Sequence, residues 1–179
     1  RTDTITDAIK GAPVPLFGLA GWSGSGKTTL AEQLITEWTA RGLDVATIKH
    51  AHHEFEADTA GKDSWRHRKA GARQVLVSSA IRSAHFVEHE TTEPELAQLL
   101  NRLLPCDLVL IEGFKREAVP KMEIFRAEVG KPHLYTEDDQ IIAVASDSAV
   151  TNCPLPVLDL NDIPTIADFV LQAVGLSSR

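Results

Sequence analysis

The sequence is short of several things, and each shortage narrows its class. Cysteine occurs only twice in 179 residues, as Cys106 and Cys153, far apart and beside apolar runs. A disulfide framework is therefore not expected, and a reducing cytoplasm fits the usage better. No apolar stretch reaches about 18 residues, so no transmembrane helix and no membrane partner are expected. Basic residues are outnumbered, 18 against 25 acidic, for a net charge of -7. Binding of nucleic acid through bulk charge is excluded, and a polyanionic ligand must be held by local positive features. The polar start, Arg1 to Gly11, is not a secretory signal. It opens without a Met, which reads as a processed or trimmed terminus, and residues 1–12 read as a flexible lead-in.

What is present is an ordinary globular balance, 43% hydrophobic and 24% charged, at a length suited to one domain over 1–179. Short apolar runs alternate with amphipathic stretches. Val14 to Ala20 reads as a buried strand, and Leu30, Leu34 and Trp38 lie four apart on a helix over Lys27 to Ala40. Asp44 to Lys49 is a second strand, and Lys62 to Ala70 is helix-compatible. Gln74 to Ser78 and Ile81 to Val87 suggest a small β-hairpin. Thr92 and Glu95 form a capping-box pattern ahead of Leu96, Leu99, Leu100, Leu103 and Leu104. Leu108 to Ile111, Lys121 to Phe125, Ile141 to Ala145 and Val157 to Leu160 read as strands. Asp162 caps a last helix with Ile163, Ile166, Val170 and Val174 inward. The expected fold is α/β: a mostly parallel P-loop NTPase sheet with helices on both faces, plus the hairpin extension. Ligands of such sheets bind at the carboxyl ends of the strands.

Gly21-Trp22-Ser23-Gly24-Ser25-Gly26-Lys27-Thr28 matches G-x-x-x-x-G-K-[ST] between a strand and a helix. Its glycines let successive N–H groups turn inward as an anion nest, reinforced by the helix N-terminus. Lys27 is expected to reach the β- and γ-phosphates, Thr28 to ligate Mg²⁺, and Thr29 to add a phosphate contact. Asp107-Leu-Val-Leu-Ile-Glu112-Gly113 is an apolar strand with a carboxylate at each end. Glu112, at the carboxyl end, is the expected metal partner of Thr28; Asp107, at the start, reads as a solvated or capping residue.

Other candidates keep two readings. Lys49 ends its strand at the active edge, as a phosphate contact or as a strand-end lysine. Lys115 stands beyond Glu112, as a phosphate contact or in an ordinary basic loop. Lys62, Arg66 and Lys69 share a helical face, a positive stripe for a second phosphorylated ligand or a solvated face. Asp58 is a candidate to hold a water or ligand of Mg²⁺, or to activate water. His50, His52 and His53 match no structural zinc spacing and are expected to hydrogen-bond to substrate or backbone. No N-K-x-D guanine signal follows a late strand; Asp147 is placed to accept from guanine N1 and N2, or to open a turn.

Gly21 to Thr29, Asp58 to Ala72 (D-T-A-GKDSWRHRKAGA), Asp107 to Lys115 (DLVLIEGFK), Pro120 to Arg126 and the IKHAHH strand end together resemble the molybdopterin-guanine dinucleotide biosynthesis protein B family, MobB. The resemblance covers about Pro15 to Asp162. It implies a homodimeric, cytoplasmic GTP-binding protein with slow GTPase activity. It further implies an adaptor to the guanylyltransferase that converts molybdopterin to its guanine dinucleotide form. Carried over by motif, Gly24, Gly26, Lys27, Thr28 and Thr29 would bind phosphates and Mg²⁺, with Glu112 near the metal. Gly21, Ser23 and Ser25 complete the loop. Asp58, Lys62, Asp63, Ser64 and Arg68 would lie near a second ligand, molybdopterin, or the dimer interface. The competing expectation is a small-molecule kinase on the same P-loop, with Arg66, Arg68 and Lys69 as lid residues.

Overall fold

The computed structural model describes residues 14–51 and 54–176. The N-terminal lead-in, His52 and His53 lie outside the described residues. Along the chain come β1 (Leu16–Ala20), α1 (Lys27–Ala40), β2 (Val45–Lys49), α2 (Asp63–Lys69), β3 (Gln74–Ser78), β4 (Ser83–Val87), α3 (Leu96–Leu100), β5 (Leu108–Glu112), β6 (Lys121–Phe125), a 3-10 turn (Ala127–Val129), β7 (Ile141–Ser146), β8 (Val157–Asp159) and α4 (Ile163–Ala173). The chain forms two compact units. One contains the residues up to His50 and those from Leu96 onward; the other is Ala51–Glu95.

The larger unit holds a six-stranded sheet in the order β2-β5-β1-β6-β7-β8, parallel throughout. Alternation along β1 sends Phe17 and Leu19 to one face and Leu16 to the other. The first face packs on Leu30, Leu34 and Trp38 of α1 and on Ile166, Ala167 and Val170 of α4. The second face, with Val109 and Ile111, is covered by Leu96, Leu99 and Leu100 of α3 and by Val119. Trp38 is fully buried and its indole N–H reaches Ala167 O at 3.4 Å, tying α1 to α4. Asp162 caps α4 by accepting the Thr165 N–H at 3.2 Å, as its position in the sequence suggested.

The helix ahead of β5 is shorter than its leucine spacing suggested. It starts at Leu96, not after Thr92, and ends at Leu100. Pro94 disfavours the helical conformation for Glu93, so the capping-box pattern cannot open a helix there. Leu104, expected on the buried face, is 83% exposed.

The smaller unit contains α2 and the antiparallel β3–β4 hairpin, with Val75 opposite Phe86. Two strands alone are marginal in water, and Leu76, Val77 and Ile81 are exposed. Ion pairs supply the tie instead. The Arg68 guanidinium meets Asp58 at 3.2 Å, Glu88 at 2.8 Å and Glu56, and lies 5.2 Å from the Phe86 ring centroid.

Candidate functional site

β1 delivers the chain to the carboxyl edge of the sheet, and residues 21–28 turn from there into α1. Gly21 is buried in the floor of this loop. A Cβ on it would stand 2.5 Å from Ser25 Oγ, 3.0 Å from Ile124 O and 3.3 Å from Lys27 Cγ, so no larger residue fits. The Ser25 N–H donates to Trp22 O at 3.1 Å and closes the turn. Ser25 Oγ is buried and finds no hydrogen-bond partner among the described residues. An unpaired buried hydroxyl costs about 1–3 kcal/mol, which suits a loop built to take up a polar ligand. Ser23, Gly24, Thr28 and Thr29 are exposed on the rim.

Lys27 donates from Nζ to Gly21 O at 2.5 Å and Trp22 O at 3.3 Å. Burial lowers its pKa below the ordinary lysine value; Glu112 opposes that shift, while Lys115 and Lys49 add to it by repulsion. Lys27, Lys49, Lys115 and Glu112 thus form one electrostatic cluster. Strand register places two of them: Lys49 pairs with Glu112 across β2 and β5. Thr28 and Glu112 line one cavity of about 280 Å³, with Ala31, Glu32, Ile35, Thr36, Thr47 and Leu110. A hydroxyl residue and a carboxylate residue lining one cavity, with Lys27, Lys49 and Lys115 electrostatically coupled nearby, suit Mg²⁺ with a phosphate chain.

The carboxyl end of β5 is held by a close crossing. His50 N–H donates to Glu112 O at 2.8 Å, and Gly113 turns away at φ 86°. A Cβ on Gly113 would stand 2.7 Å from His50 Cβ and 3.2 Å from His50 O. Gly113→Ala combines left-handed strain with a backbone clash, and a loss of about 2–4 kcal/mol is expected. Differential scanning calorimetry should then show a Tm lower by about 5–10 °C. An unchanged Tm would mean that this crossing is not as tight as described.

The remaining sequence candidates fall elsewhere or are engaged otherwise. Asp58, Lys62 and Arg68 belong to the smaller unit. Asp58 accepts from Ser64 Oγ at 2.8 Å and Arg68 Nε at 3.2 Å, so both charges are committed to each other. Lys62, Arg66 and Lys69 are exposed. Asp147 stands at the carboxyl end of β7, where its Oδ1 accepts the Ala127 N–H at 3.3 Å and its Oδ2 lies 3.9 Å from Arg126. His50 tilts against Phe114, ring centroids 4.9 Å apart. Among the described residues no three of His, Cys, Asp and Glu gather as a metal site.

Two residues flanking β6, Lys121 at its start and Arg126 just past its end, carried no role in the sequence. Arg126 Nε donates to Ser25 O at 3.1 Å, so an arginine 101 positions away supports the phosphate loop. Lys121 is 3% exposed; its stem crosses Gly18, and its Nζ donates to Lys115 O at 3.3 Å, Glu117 O at 3.0 Å and Asp138 at 3.0 Å. It therefore pins the segment that carries Lys115. The only sequence signal for either was a cation flanking the short strand KMEIF, Lys121 opening it and Arg126 following it.

The family described as molybdopterin guanine dinucleotide synthesis protein B (MobB) matches residues 16–147, from the first strand of this sheet to the end of β7. The chain belongs to the MobB family. Its molybdopterin-guanine dinucleotide biosynthesis adapter protein from Haemophilus influenzae is 47% identical over 88% of this chain and 88% of its own. That from Escherichia coli is 43% identical over 89% of this chain and 93% of its own. The crystal structure of Bacillus subtilis MobB superposes with a TM-score of 0.70 at 27% identity, covering 89% of this chain and 98% of that one. The six-stranded P-loop sheet with its separate hairpin is thus a MobB architecture. No described helix is long and apolar enough to cross a membrane.

Proposed function

We propose that this MobB-family chain is a GTP-binding adaptor in the conversion of molybdopterin to its guanine dinucleotide form, with slow GTPase activity. The observation that carries the site is the pairing of Thr28 and Glu112 in one cavity beside Lys27. In this reading the loop N–H groups of residues 21–28 hold the phosphate chain, and Lys27 spans the β- and γ-phosphates. Lys49 and Lys115 add positive potential at the rim. Thr28 and Glu112 would hold Mg²⁺, which would supply charge neutralisation at the phosphate oxygens. Guanine as the base, molybdopterin as cargo, the guanylyltransferase as partner, a homodimer and a cytoplasmic location belong to the same proposal. The names of the Haemophilus influenzae and Escherichia coli adapter proteins support the pathway.

The test is equilibrium binding of GTP and ATP with and without Mg²⁺, together with phosphate release. GTP is expected to bind more tightly than ATP, and free phosphate to appear slowly. Thr28→Ala and Glu112→Gln should each cut Mg²⁺-dependent binding about tenfold, the scale of one charge-assisted contact. Rapid phosphate transfer to an added acceptor would favour a kinase instead. Binding indifferent to Mg²⁺ in the wild-type protein would remove the metal assignment.

A further inference from the structure

Arg126 is the first residue past β6, and Asp147 the first past β7. The pairing of Phe125 with Ser146 brings the two out side by side at the carboxyl edge. The Arg126 guanidinium lies against the phosphate loop. A Cβ on Gly26 would stand 3.1 Å from its Nε and 3.4 Å from its Nη2, so the glycine leaves room for it. Its Nε–H holds Ser25 O at 3.1 Å, while Nη1 faces Asp147 at 3.9 Å. Asp147 is itself fixed by the Ala127 N–H.

The consequence lies in one peptide plane. In a trans peptide the C=O and the following N–H point in opposite directions. Holding the Ser25 carbonyl on the outside of the loop turns the Gly26 N–H to the inside, where the anion nest needs it. We infer that Arg126 is a positioning residue that fixes the Ser25–Gly26 peptide for phosphate binding. Asp147 acts through Arg126 and does not read the base. This deepens the nucleotide-site reading above and rests on it.

A base reader and a cradle support differ in what they discriminate. The experiment measures dissociation constants of Mg²⁺-GTP, Mg²⁺-ATP and Mg²⁺-tripolyphosphate for wild type, Arg126→Ala, Arg126→Lys, Asp147→Ala and the double Ala variant. Arg126→Ala should weaken all three ligands by one common factor, about tenfold. Asp147→Ala should weaken all three by about threefold and leave the GTP-to-ATP ratio unchanged. The double variant should be no weaker than Arg126→Ala, because both act through one contact. Arg126→Lys retains a donor that can reach Ser25 O and should recover part of the loss at an unchanged Tm, which general damage to the fold would not allow. A selective loss of GTP binding in Asp147→Ala, or wild-type affinity in Arg126→Ala, overturns the inference while leaving the cradle intact. Failure of the wild type to bind any of the three ligands overturns the nucleotide site itself, and the inference with it.

Discussion

With Lys27 replaced by Ala, affinity for Mg²⁺-GTP is expected to fall by about a hundredfold or more. Lys27 is held at the loop by Gly21 O and Trp22 O, so its ammonium is already docked on the turn proposed to hold the phosphates. Two charge-assisted hydrogen bonds at about 1.5 kcal/mol each give that factor. Lys49 and Lys115 share the potential but stand on other elements, so they cannot take over its position. The fold should tolerate the change, because burial and the two neighbouring lysines make this charge unfavourable in the native protein. The same lowered pKa sets a pH signature. The protonated form binds phosphate, so affinity should decline as pH rises through a value below that of an ordinary lysine. Titration with a fluorescent GTP analogue measures both effects. Undiminished binding by Lys27→Ala would place the triphosphate elsewhere.

Replacing Arg68 by Ala is expected to unfasten the smaller unit. Arg68 is 12% exposed and joins the loop at Glu56 and Asp58, its own helix α2, Phe86 of β4 and Glu88 just past that strand. The hairpin has little apolar packing to fall back on, and removal of the guanidinium leaves three carboxylates facing one another. Amide hydrogen exchange across Gln74–Val87 should accelerate by about tenfold or more. Wild-type protection in this variant would show that packing, not the ion pairs, holds the unit. Acid should act on the same network at an unusual pH. Burial pushes the Asp58 pKa up, but hydrogen bonds from Ser64, Arg68 and the Thr59 N–H outweigh it and leave the carboxyl below its ordinary value. A lowered native pKa gives stability that is fully present above the unfolded value and is lost as pH falls through the native one. The hairpin should therefore lose this stabilisation progressively as pH falls from the ordinary aspartate value toward the lower native one.

The parts of this site that were legible in the sequence are those governed by local spacing. Eight residues of phosphate loop, the 30-34-38 face of α1 and the Asp162 cap each depend on neighbours within one or two turns. The choice of Glu112 over Asp107 was also legible, because a parallel strand has a defined active end. Asp107 lies at the opposite edge and accepts the Asp44 N–H at 2.8 Å. What stayed hidden depends on strand order. Arg126 reaches Ser25 only because β6 lies next to β1, and Asp147 reaches Arg126 only because β7 lies next to β6. Asp58 and Arg68 looked available as ligands in the sequence, since nothing local reveals that a loop ten residues upstream folds back onto the helix. The α3 boundary was misjudged for a different reason: a leucine period reports a buried face and says little about where proline stops the backbone from entering a helix.

The central claim is that one Mg²⁺-triphosphate lies in the 21–28 loop with its metal between Thr28 and Glu112. A crystal structure with Mg²⁺ and a non-hydrolysable GTP analogue tests it most directly. The expected result is a metal bound to Thr28 Oγ1 and held, directly or through one water, by Glu112, with Lys27 Nζ against the β- and γ-phosphates. A triphosphate seated away from this loop, or a metal held without Glu112, would contradict it.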